Sequence, residues 1–220
     1  MQRSELEAQF ADGCRRLAEK GFLNDASGSM SARIPGTTEM MLATGLKDWA
    51  DIGYATIRTQ SFTSQDAIAA LHGSIYLERQ DAGAIAISSP RGGRLLAKSG
   101  GFLPPIFDEQ VRHLGRMGAA IGEKDLSRRR IRKAFGRGAN AALLGERLLC
   151  IGVTVERVVF NTELFEKCAQ AYVIAKASGI RTGVIPAWVR LIANRRLLRD
   201  ERKAAASYLN GQFPERTTAY

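Results

Sequence analysis

The spacing of hydrophobic residues predicts several helices along the chain. At its start, apolar residues recur three or four positions apart, which predicts an amphipathic helix through Leu6, Phe10, Cys14 and Leu17. A second helix is predicted over 63–80; its N-cap is Thr63 or Ser64, and its inner face carries Ala67, Ile68, Leu71 and Ile75. Further helices are predicted over 107–122, from the arginine-rich stretch after 127, from 155 to a stop at Gly179, and in the tail after 186.

Shorter apolar runs predict strands between these helices. The runs 39–44 and 82–88 suit buried strands, and 140–155 is typical of a β-hairpin that turns at Gly145, Glu146 and Arg147. The stretch 23–36 ends the first helix and predicts short extended segments. Because helices and strands alternate unevenly, we expect an α/β fold with three layers, α+β-like in organisation, in which helices flank a central, mainly antiparallel sheet.

Length and composition are those of an ordinary globular domain. With 220 residues, of which 45% are hydrophobic and 25% charged, the chain is long enough to bury a full core. Cys14, Cys150 and Cys168 lie far apart in apolar surroundings, which favours buried thiols in a reducing compartment. No apolar run reaches the roughly 20 residues that span a bilayer, and the first residues lack the apolar core of a signal peptide. We therefore expect a cytoplasmic protein without a membrane partner.

Basic charge is concentrated in two stretches. The net charge is +10 and the isoelectric point about 9.9, with the excess mainly in 127–138 and 189–203. Aromatic residues that would stack on bases are nearly absent there, so we do not expect nucleic acid as a partner. The alternative is a basic interaction module that binds nucleic acid or an acidic protein. We expect one domain over 1–185 and a basic helical tail over 186–220.

The end of one buried strand carries polar side chains. The apolar run 84–87 is followed by Ser88 and Ser89, and then by Arg91 and Arg94. A buried strand of this kind commonly delivers side chains to a site at its carboxyl end. This strand end supplies hydroxyls and cations, with no histidine or carboxylate among them.

Five stretches of the sequence occur in an informative order. They are SGSMSAR (27–33), MLATG (41–45), LHGSIYLERQDAGAIAISS (71–89), LPPIFDEQVRHLG (103–115) and AALLGERLLCIGVTVERVVFNTELFEKCAQAYVIAKASG (141–179). In this order and spacing the chain resembles the class II aldolase/adducin family over roughly residues 5–180. The last stretch, a strand pair followed by a helix with Glu-Lys-x-Ala-Gln-x-Tyr, is typical of the end of that fold.

The resemblance implies a metal site whose ligands this chain does not carry. Active members of the family hold zinc or another divalent ion through a His-x-His pair at a strand end and a third histidine in a later hairpin, and a glutamate acts as acid/base. The pair falls on Ile87 and Ser89, the third histidine on or next to Glu146, and the glutamate on Ile68. Asp66 lies out of register with that glutamate. We therefore expect no bound metal and no other cofactor.

The phosphate-binding residues of the family are better matched. Its sugar-phosphate members use a Gly-Asn-x-Ser loop, a Thr-Gly turn and hydroxyls before the next helix, where N–H groups and hydroxyls surround an oxyanion. The matching residues are Gly28, Ser29, Ser31, Thr44, Gly45, Thr63 and Ser64, with Ser29 in place of the usual asparagine. These residues predict a phosphate or carboxylate pocket; the alternative is that they are ordinary turn and capping residues.

The sequence therefore predicts a divergent family member without the zinc-dependent centre. We expect it to bind a small anionic metabolite or to serve as a non-catalytic member of an oligomer. The resemblance implies a homotetramer, and the tail offers apolar surface for self-association at Trp188, Leu191, Leu197 and Leu198.

The main alternative is a lyase of the aldolase, decarboxylase or epimerase type with relocated, metal-independent chemistry, because arginines at the strand end could stabilise an oxyanion. Its candidate catalytic residues are His72, Ser88, Ser89, Arg91 and Glu146. The apolar neighbours of His72 are, however, typical of a packed, hydrogen-bonded core histidine.

Overall fold

The fold is built around a six-stranded antiparallel sheet. A computed structural model describes residues 3–24, 26–49, 51–53, 56–122, 126–136 and 138–215. The strands are β1 (Ser29–Arg33), β2 (Glu39–Thr44), β3 (Arg58–Ser61), β4 (Ala84–Ser88), β5 (Ala141–Leu144) and β6 (Arg147–Gly152). The helices are α1 (Arg3–Glu19), α2 (Ala67–Glu78), α3 (Arg91–Lys98), α4 (Arg128–Phe135), α5 (Val155–Ala177) and α6 (Ala187–Leu209), and a π-helical turn spans Gln110–Leu114.

The sheet has the strand order β3-β2-β1-β4-β6-β5, and each neighbouring pair is antiparallel. Side chains alternate between the two faces of each strand. Helices cover the sheet on both faces, so both sets of side chains are buried. On one face Met30 of β1 lies in a core with Phe165 of α5. On the other face Ile85 of β4 lies with Ile75 of α2 and Phe135 of α4. The α/β class, the antiparallel sheet and its flanking helices are thus confirmed.

The helix predicted over 63–80 begins later, at Ala67. Its N-cap is Asp66, whose side chain accepts a hydrogen bond from Ala69 N at 2.8 Å. The prediction of Thr63 or Ser64 as the cap is therefore wrong, because Ser64 Oγ instead accepts a hydrogen bond from Asp66 N in the preceding turn, at 3.2 Å. Ala67 is exposed and does not face inward as predicted, whereas the predicted inner residues Leu71 and Ile75 are buried.

The helix predicted over 107–122 is also wrong, since only a short helical turn forms there. Gly115 ends that turn with φ +64°, and a Cβ on it would lie 2.1 Å from Gly138 O. A Cβ on Gly118 would lie 2.5 Å from Ala134 O. The backbone of Gly115, with φ +64° and ψ −141°, is outside the helical region and ends the helix there, and the close approaches require glycine at both positions. Apolar spacing alone does not reveal such an approach.

The basic tail forms α6, which packs on the rest of the chain. Ala193, Ala204 and Tyr208 are buried, and the Tyr208 hydroxyl donates a hydrogen bond to Val153 O at 2.8 Å. The Arg33 guanidinium lies 5.5 Å from the centre of the Tyr208 ring. The helical prediction for the tail is confirmed up to Leu209, and residues 216–220 lie outside the described part of the chain. The division into domains 1–185 and 186–220 stays a prediction.

None of the helices in the described part of the chain combines the length and the apolar character that crossing a bilayer requires.

Candidate functional site

Most of the predicted site residues meet at one end of the sheet. Ser29 pairs with Thr44 on β2 and with Ile87 on β4, so three strands end side by side. The turn of the β5–β6 hairpin lies at the same end, because Ser88 pairs with Leu148 near the start of β6. We call this region the sheet end; it includes Gly28, Ser29, Thr44, Gly45, Ser88, Ser89, Arg91 and Glu146.

The positions that the resemblance assigns to metal ligands carry side chains that do not fit a metal ion. Ile87 is fully buried in the apolar core beneath α2, and Ile68 packs against the same core. Glu146 is exposed on the hairpin turn, where its carboxylate lies 3.7 Å from Lys98 Nζ. A single carboxylate and the Ser89 hydroxyl are not the set of three or four imidazole, thiolate or carboxylate ligands that a zinc site uses. Among the described residues, no three His, Cys, Asp or Glu side chains are grouped to hold a metal ion.

The two serines at the strand end have different surroundings. Ser88 is fully buried, and its hydroxyl has no hydrogen-bond partner among the described residues. Ser89 is also buried, and its backbone N–H donates to Phe22 O at 2.9 Å. Neither hydroxyl has a histidine or carboxylate partner in the described hydrogen bonds, so the structure gives neither serine the activating base that nucleophilic catalysis requires.

His72 is a buried, hydrogen-bonded residue of the core. Its Nε2 lies 2.9 Å from Ser29 Oγ, and its Nδ1 lies 2.7 Å from Ser31 Oγ. The Ser31 hydroxyl also lies 2.9 Å from the Tyr76 hydroxyl. Burial lowers the pKa of His72 to about 3, since a charged imidazole would lose its hydration. The ring is therefore neutral at physiological pH, as its apolar helix face predicts.

Ser29, His72 and Ser31 have the connectivity of a nucleophile, a base and an orienting group. All three side chains are nevertheless fully buried, so a substrate in solvent cannot reach the Ser29 hydroxyl. The same hydrogen bonds occupy the hydroxyls of Ser29 and Ser31 inside the core. These two predicted anion-binding residues consequently point toward His72 and do not face solvent.

Gly28, Thr44 and Gly45 are brought together at the sheet end. Thr44 Oγ1 lies 3.5 Å from Gly28 O. Gly45 is exposed with φ +70°, and no atom lies within 4 Å of the place where a Cβ would stand. This turn is therefore open to a small molecule. The positive φ also explains the glycine, since other residues rarely adopt that conformation.

Thr63 and Ser64 lie apart from this turn. Thr63 Oγ1 is 3.1 Å from Ser61 Oγ, and the Ser64 hydroxyl donates to Gln60 Oε1 at 3.1 Å. Because Ser61 pairs with Glu39 at the far end of β2 from Thr44, the separation along the strand is about 17 Å, at roughly 3.4 Å per residue. The structure therefore does not bring these two hydroxyls to the Thr44–Gly45 turn.

Basic side chains lie on the segments that adjoin the sheet end. Arg91, Arg94 and Lys98 are exposed along α3, which begins directly after the strand end. Arg147, at the start of β6, donates to Ser27 O at 3.1 Å and so lies beside the loop that carries Gly28. These four basic side chains favour the binding of a small anion at this end of the sheet.

The N-terminus of α3 is occupied by a carboxylate that the sequence reasoning missed. Glu166 of α5 is buried and accepts hydrogen bonds from Gly92 N at 2.7 Å and Gly93 N at 3.1 Å. Gln170 Nε2 donates to the same carboxylate at 2.6 Å. The helix N-terminus is thus satisfied within the chain. A signal existed, because Glu166 and Gln170 are the glutamate and the glutamine of the Glu-Lys-x-Ala-Gln-x-Tyr motif.

A buried ionic cluster was also missed. The Arg79 guanidinium binds Asp81 through two hydrogen bonds of 2.8 and 2.6 Å, and Nη2 lies 3.0 Å from Glu201 of α6. It also donates to Phe135 O, Ala139 O and Asn140 Oδ1. The cluster joins residues from distant parts of the sequence and anchors α6. No local pattern in the sequence reveals that pairing.

Comparisons with known proteins agree with the fold and the order of the sequence stretches. The model of the Class II Aldolase and Adducin N-terminal domain family matches residues 8–173. An aldolase II superfamily protein from Pseudomonas syringae superposes with a TM-score of 0.71 at 20% identity, over 94% of this chain and 96% of that chain. An L-fuculose 1-phosphate aldolase from Glaciozyma antarctica superposes with a TM-score of 0.75 at 18% identity, over 94% and 88% of the two chains.

An L-fuculose-1-phosphate aldolase from Thermus thermophilus superposes with a TM-score of 0.70 at 17% identity, over 81% of this chain and 98% of that chain. No similar sequence was found among curated proteins. At these identities the structural neighbours establish the fold alone, whereas the family model covers most of the chain. The chain therefore belongs to the class II aldolase and adducin family.

Proposed function

We propose that this chain is a metal-independent, non-catalytic member of its family that binds a small anionic metabolite at the sheet end. The observation that carries the proposal is the burial of Ile87 in the apolar core, with Ile68 packed against the same core. A divalent ion needs polar ligands and space for substrate at these positions. The apolar side chains supply neither.

The remaining polar groups support binding more than catalysis. His72 is buried and neutral, so it supplies no proton to a bound substrate. The Glu146 carboxylate is exposed beside Lys98, and the Glu166 carboxylate is held by Gly92 N and Gly93 N. A metal-independent lyase would need an acid/base group held against the substrate. Binding of an anion, such as a sugar phosphate or a carboxylate, at the open Gly45 turn and the neighbouring basic side chains requires no such group.

Metal content tests the first half of the proposal. We expect protein purified without chelator or affinity tag to carry a transition metal in less than about a tenth of its subunits, because the ligand set is missing. The triple variant Ile87→His, Ser89→His and Glu146→His is the matched positive control, since it restores imidazoles at the family's ligand positions. Elemental analysis measures both proteins after dialysis against zinc. Near-stoichiometric metal in the parent would overturn the proposal.

Ligand-induced thermal stabilisation tests the second half. Inorganic phosphate or L-fuculose 1-phosphate at about ten times its Kd should stabilise the folded protein by about 1.4 kcal/mol. Arg91→Ala should reduce this gain, whereas Arg129→Ala, at an exposed arginine of α4, should leave it unchanged. A parent protein whose melting temperature does not change with either ligand at about 10 mM, which is tenfold above a Kd of about 1 mM, would refute binding at the sheet end.

The Gly45 turn provides a matched pair of glycine variants. Gly45 and Gly179 both have φ +70° and open space around the Cβ position. Valine at either position adds similar backbone strain, but only Gly45→Val obstructs the proposed anion site. We expect both variants to lose stability and Gly45→Val alone to lose the phosphate effect. Equal phosphate effects in the two variants would exclude the turn as the binding site.

We also propose that the protein self-associates, as a homotetramer. Trp188 and Ile192 on α6 are 67% and 45% exposed, and adjacent exposed apolar side chains are typical of contact surfaces. Leu197 and Leu198, which the sequence suggested for the same surface, are half-buried against the loop that carries Gly138. Light scattering at micromolar concentration measures the mass, and a strictly monomeric value would refute self-association.

A further inference from the structure

A groove separate from the sheet end lies between α6 and the segment 102–117. Its volume is about 590 Å³, within the range of small-molecule sites. The segment 102–117 forms one wall, and the first turns of α6 form the other. We call it the α6 groove. None of its lining residues belongs to the sheet end.

The wall formed by 102–117 is held in place by hydrogen bonds of its own. Gln110 is buried; its Oε1 accepts from Ile106 N at 3.2 Å, and its Nε2 donates to Pro104 O at 3.0 Å. Leu103 N donates to Met117 Sδ at 3.0 Å across the wall. The π-helical turn lies in the same segment, and such turns occur frequently at functional sites. The groove is therefore formed before any ligand arrives.

The groove combines a buried apolar floor with an uncovered apolar rim. Leu103, Val111 and Met117 are buried beneath it. At its edges Phe102 is 54% exposed and Leu191 is 53% exposed. Covering these two side chains would remove apolar surface from water, which stabilises a complex.

The charged groups of the groove are all basic. Arg116 and Arg190 line it and are exposed, and no aspartate or glutamate is among its lining residues. Within the part of the chain that the structure describes, neither guanidinium lies within 4.0 Å of a carboxylate. Guanidinium groups bind carboxylates through short, charge-assisted hydrogen bonds. The groove thus offers an apolar surface beside unneutralised positive charge.

We infer that the α6 groove binds an amphipathic organic acid, with the hydrocarbon part against Phe102 and Leu191 and the carboxylate toward Arg116 and Arg190. Neutral apolar molecules would leave the two arginines without a partner. Inorganic anions would leave the apolar side chains exposed. A single molecule with a carboxylate and a short hydrocarbon chain satisfies both parts of the groove.

Calorimetric titration with sodium octanoate, and with octanol as the neutral analogue, tests this inference on the full-length protein. We expect octanoate to bind with at least tenfold higher affinity than octanol, a difference of about 1.4 kcal/mol. The double variant Arg116→Ala and Arg190→Ala should weaken octanoate binding at least tenfold. Arg195→Ala is the matched control, because Arg195 is an exposed arginine of the same helix that does not line the groove; it should change the affinity less than twofold.

Three results would overturn the inference. They are equal affinities for octanoate and octanol, equal losses in the double variant and in Arg195→Ala, and absence of octanoate binding. Phe102→Asp provides a further check, since a carboxylate on the rim should abolish octanoate binding while the mass from light scattering stays the same. A lower mass in that variant would show that the groove is a contact between copies of the chain, and the inference would be wrong. The phosphate test at the sheet end uses other residues, so the two proposals fail independently.

Discussion

The buried position of Glu201 makes the stability of this protein depend on pH in an unusual direction. Its carboxylate lies 3.0 Å from Arg79 Nη2 and is almost inaccessible to solvent. The same guanidinium already binds Asp81 through two hydrogen bonds, so its charge is shared. Burial, helped by the Asp81 charge, therefore outweighs the attraction of Arg79 and raises the pKa of Glu201 from its ordinary value of 4.5 to about 7.

The raised pKa determines both the sign and the size of the effect. Between pH 4.5 and 7 the folded protein binds a proton on Glu201 that the unfolded chain releases, so stability falls as pH rises. Each pKa unit corresponds to about 1.36 kcal/mol. Between about pH 5 and pH 8 the expected loss is therefore roughly 2–3 kcal/mol. For a chain of this size that corresponds to roughly 5–10 °C in melting temperature.

The variant Glu201→Gln removes the titration while keeping a similar shape. The difference in free energy of unfolding between variant and parent at about pH 5 serves as the reference. By about pH 8 this difference should have shifted by roughly 2–3 kcal/mol in favour of the variant. Thermal unfolding followed by circular dichroism at several pH values measures this difference. His113, whose pKa is lowered mainly by burial, has the opposite pH dependence, but it is present in both proteins and cancels.

Glu19→Gln is the control for Glu201→Gln, because Glu19 is exposed at the end of α1. It should change stability by less than about 0.5 kcal/mol at every pH. The reasoning would be refuted by a difference between parent and Glu201→Gln that is the same at both ends of the pH range. Such a result would mean that Arg79 and nearby water keep Glu201 ionised throughout that range.

Two further predictions concern contacts that join distant elements. Gly83→Ala should destabilise the protein by about 1–3 kcal/mol and expose α6 to proteolysis, because the new Cβ would lie 2.0 Å from the Tyr208 hydroxyl. Gly53→Ala is the control, since there is open space around its Cβ. Equal losses of stability in the two variants would contradict the explanation. Glu166→Ala should cost about 1–3 kcal/mol by leaving two buried N–H groups at the start of α3 without an acceptor, measured as a lower urea midpoint. Glu163→Ala removes an ion pair with the exposed Arg16 and should cost less than about 1 kcal/mol; an equal cost would argue against the capping role.

The elements that the sequence predicts correctly are those whose cause is local. Apolar residues at helical spacing predict α1 and α5, and a continuous apolar run predicts β2 with the bounds that the structure has. The β5–β6 hairpin turns at Gly145 and Glu146, as the glycine between two apolar runs indicates. Each of these signals arises within a few residues, so no tertiary information is needed.

The errors have a tertiary cause. The predicted helix over 107–122 fails because Gly115 takes a non-helical conformation with positive φ, packed against Gly138 of a distant part of the chain. Ser29 and Ser31 are separated from the rest of the predicted anion pocket for a similar reason, because they face His72 in the core. His72 is 43 residues from Ser29 and 41 from Ser31, and no local pattern shows that these hydroxyls turn toward it. The order of the sequence stretches predicts the family, but it cannot show which face of β1 a serine occupies.

A metal centre and a packed core make opposite demands on the same side chains. A metal ion requires polar ligands that remain accessible to substrate, whereas a core requires apolar or fully hydrogen-bonded side chains that exclude water. Ile87 meets the second demand through apolar packing, and His72 meets it through its two serine partners. Introducing histidine at Ile87 alone would bury an imidazole in apolar surroundings and destabilise the core. A functional metal site in this chain therefore needs several concerted substitutions, which is why the triple-histidine variant and not a single replacement is the informative control for the proposed function.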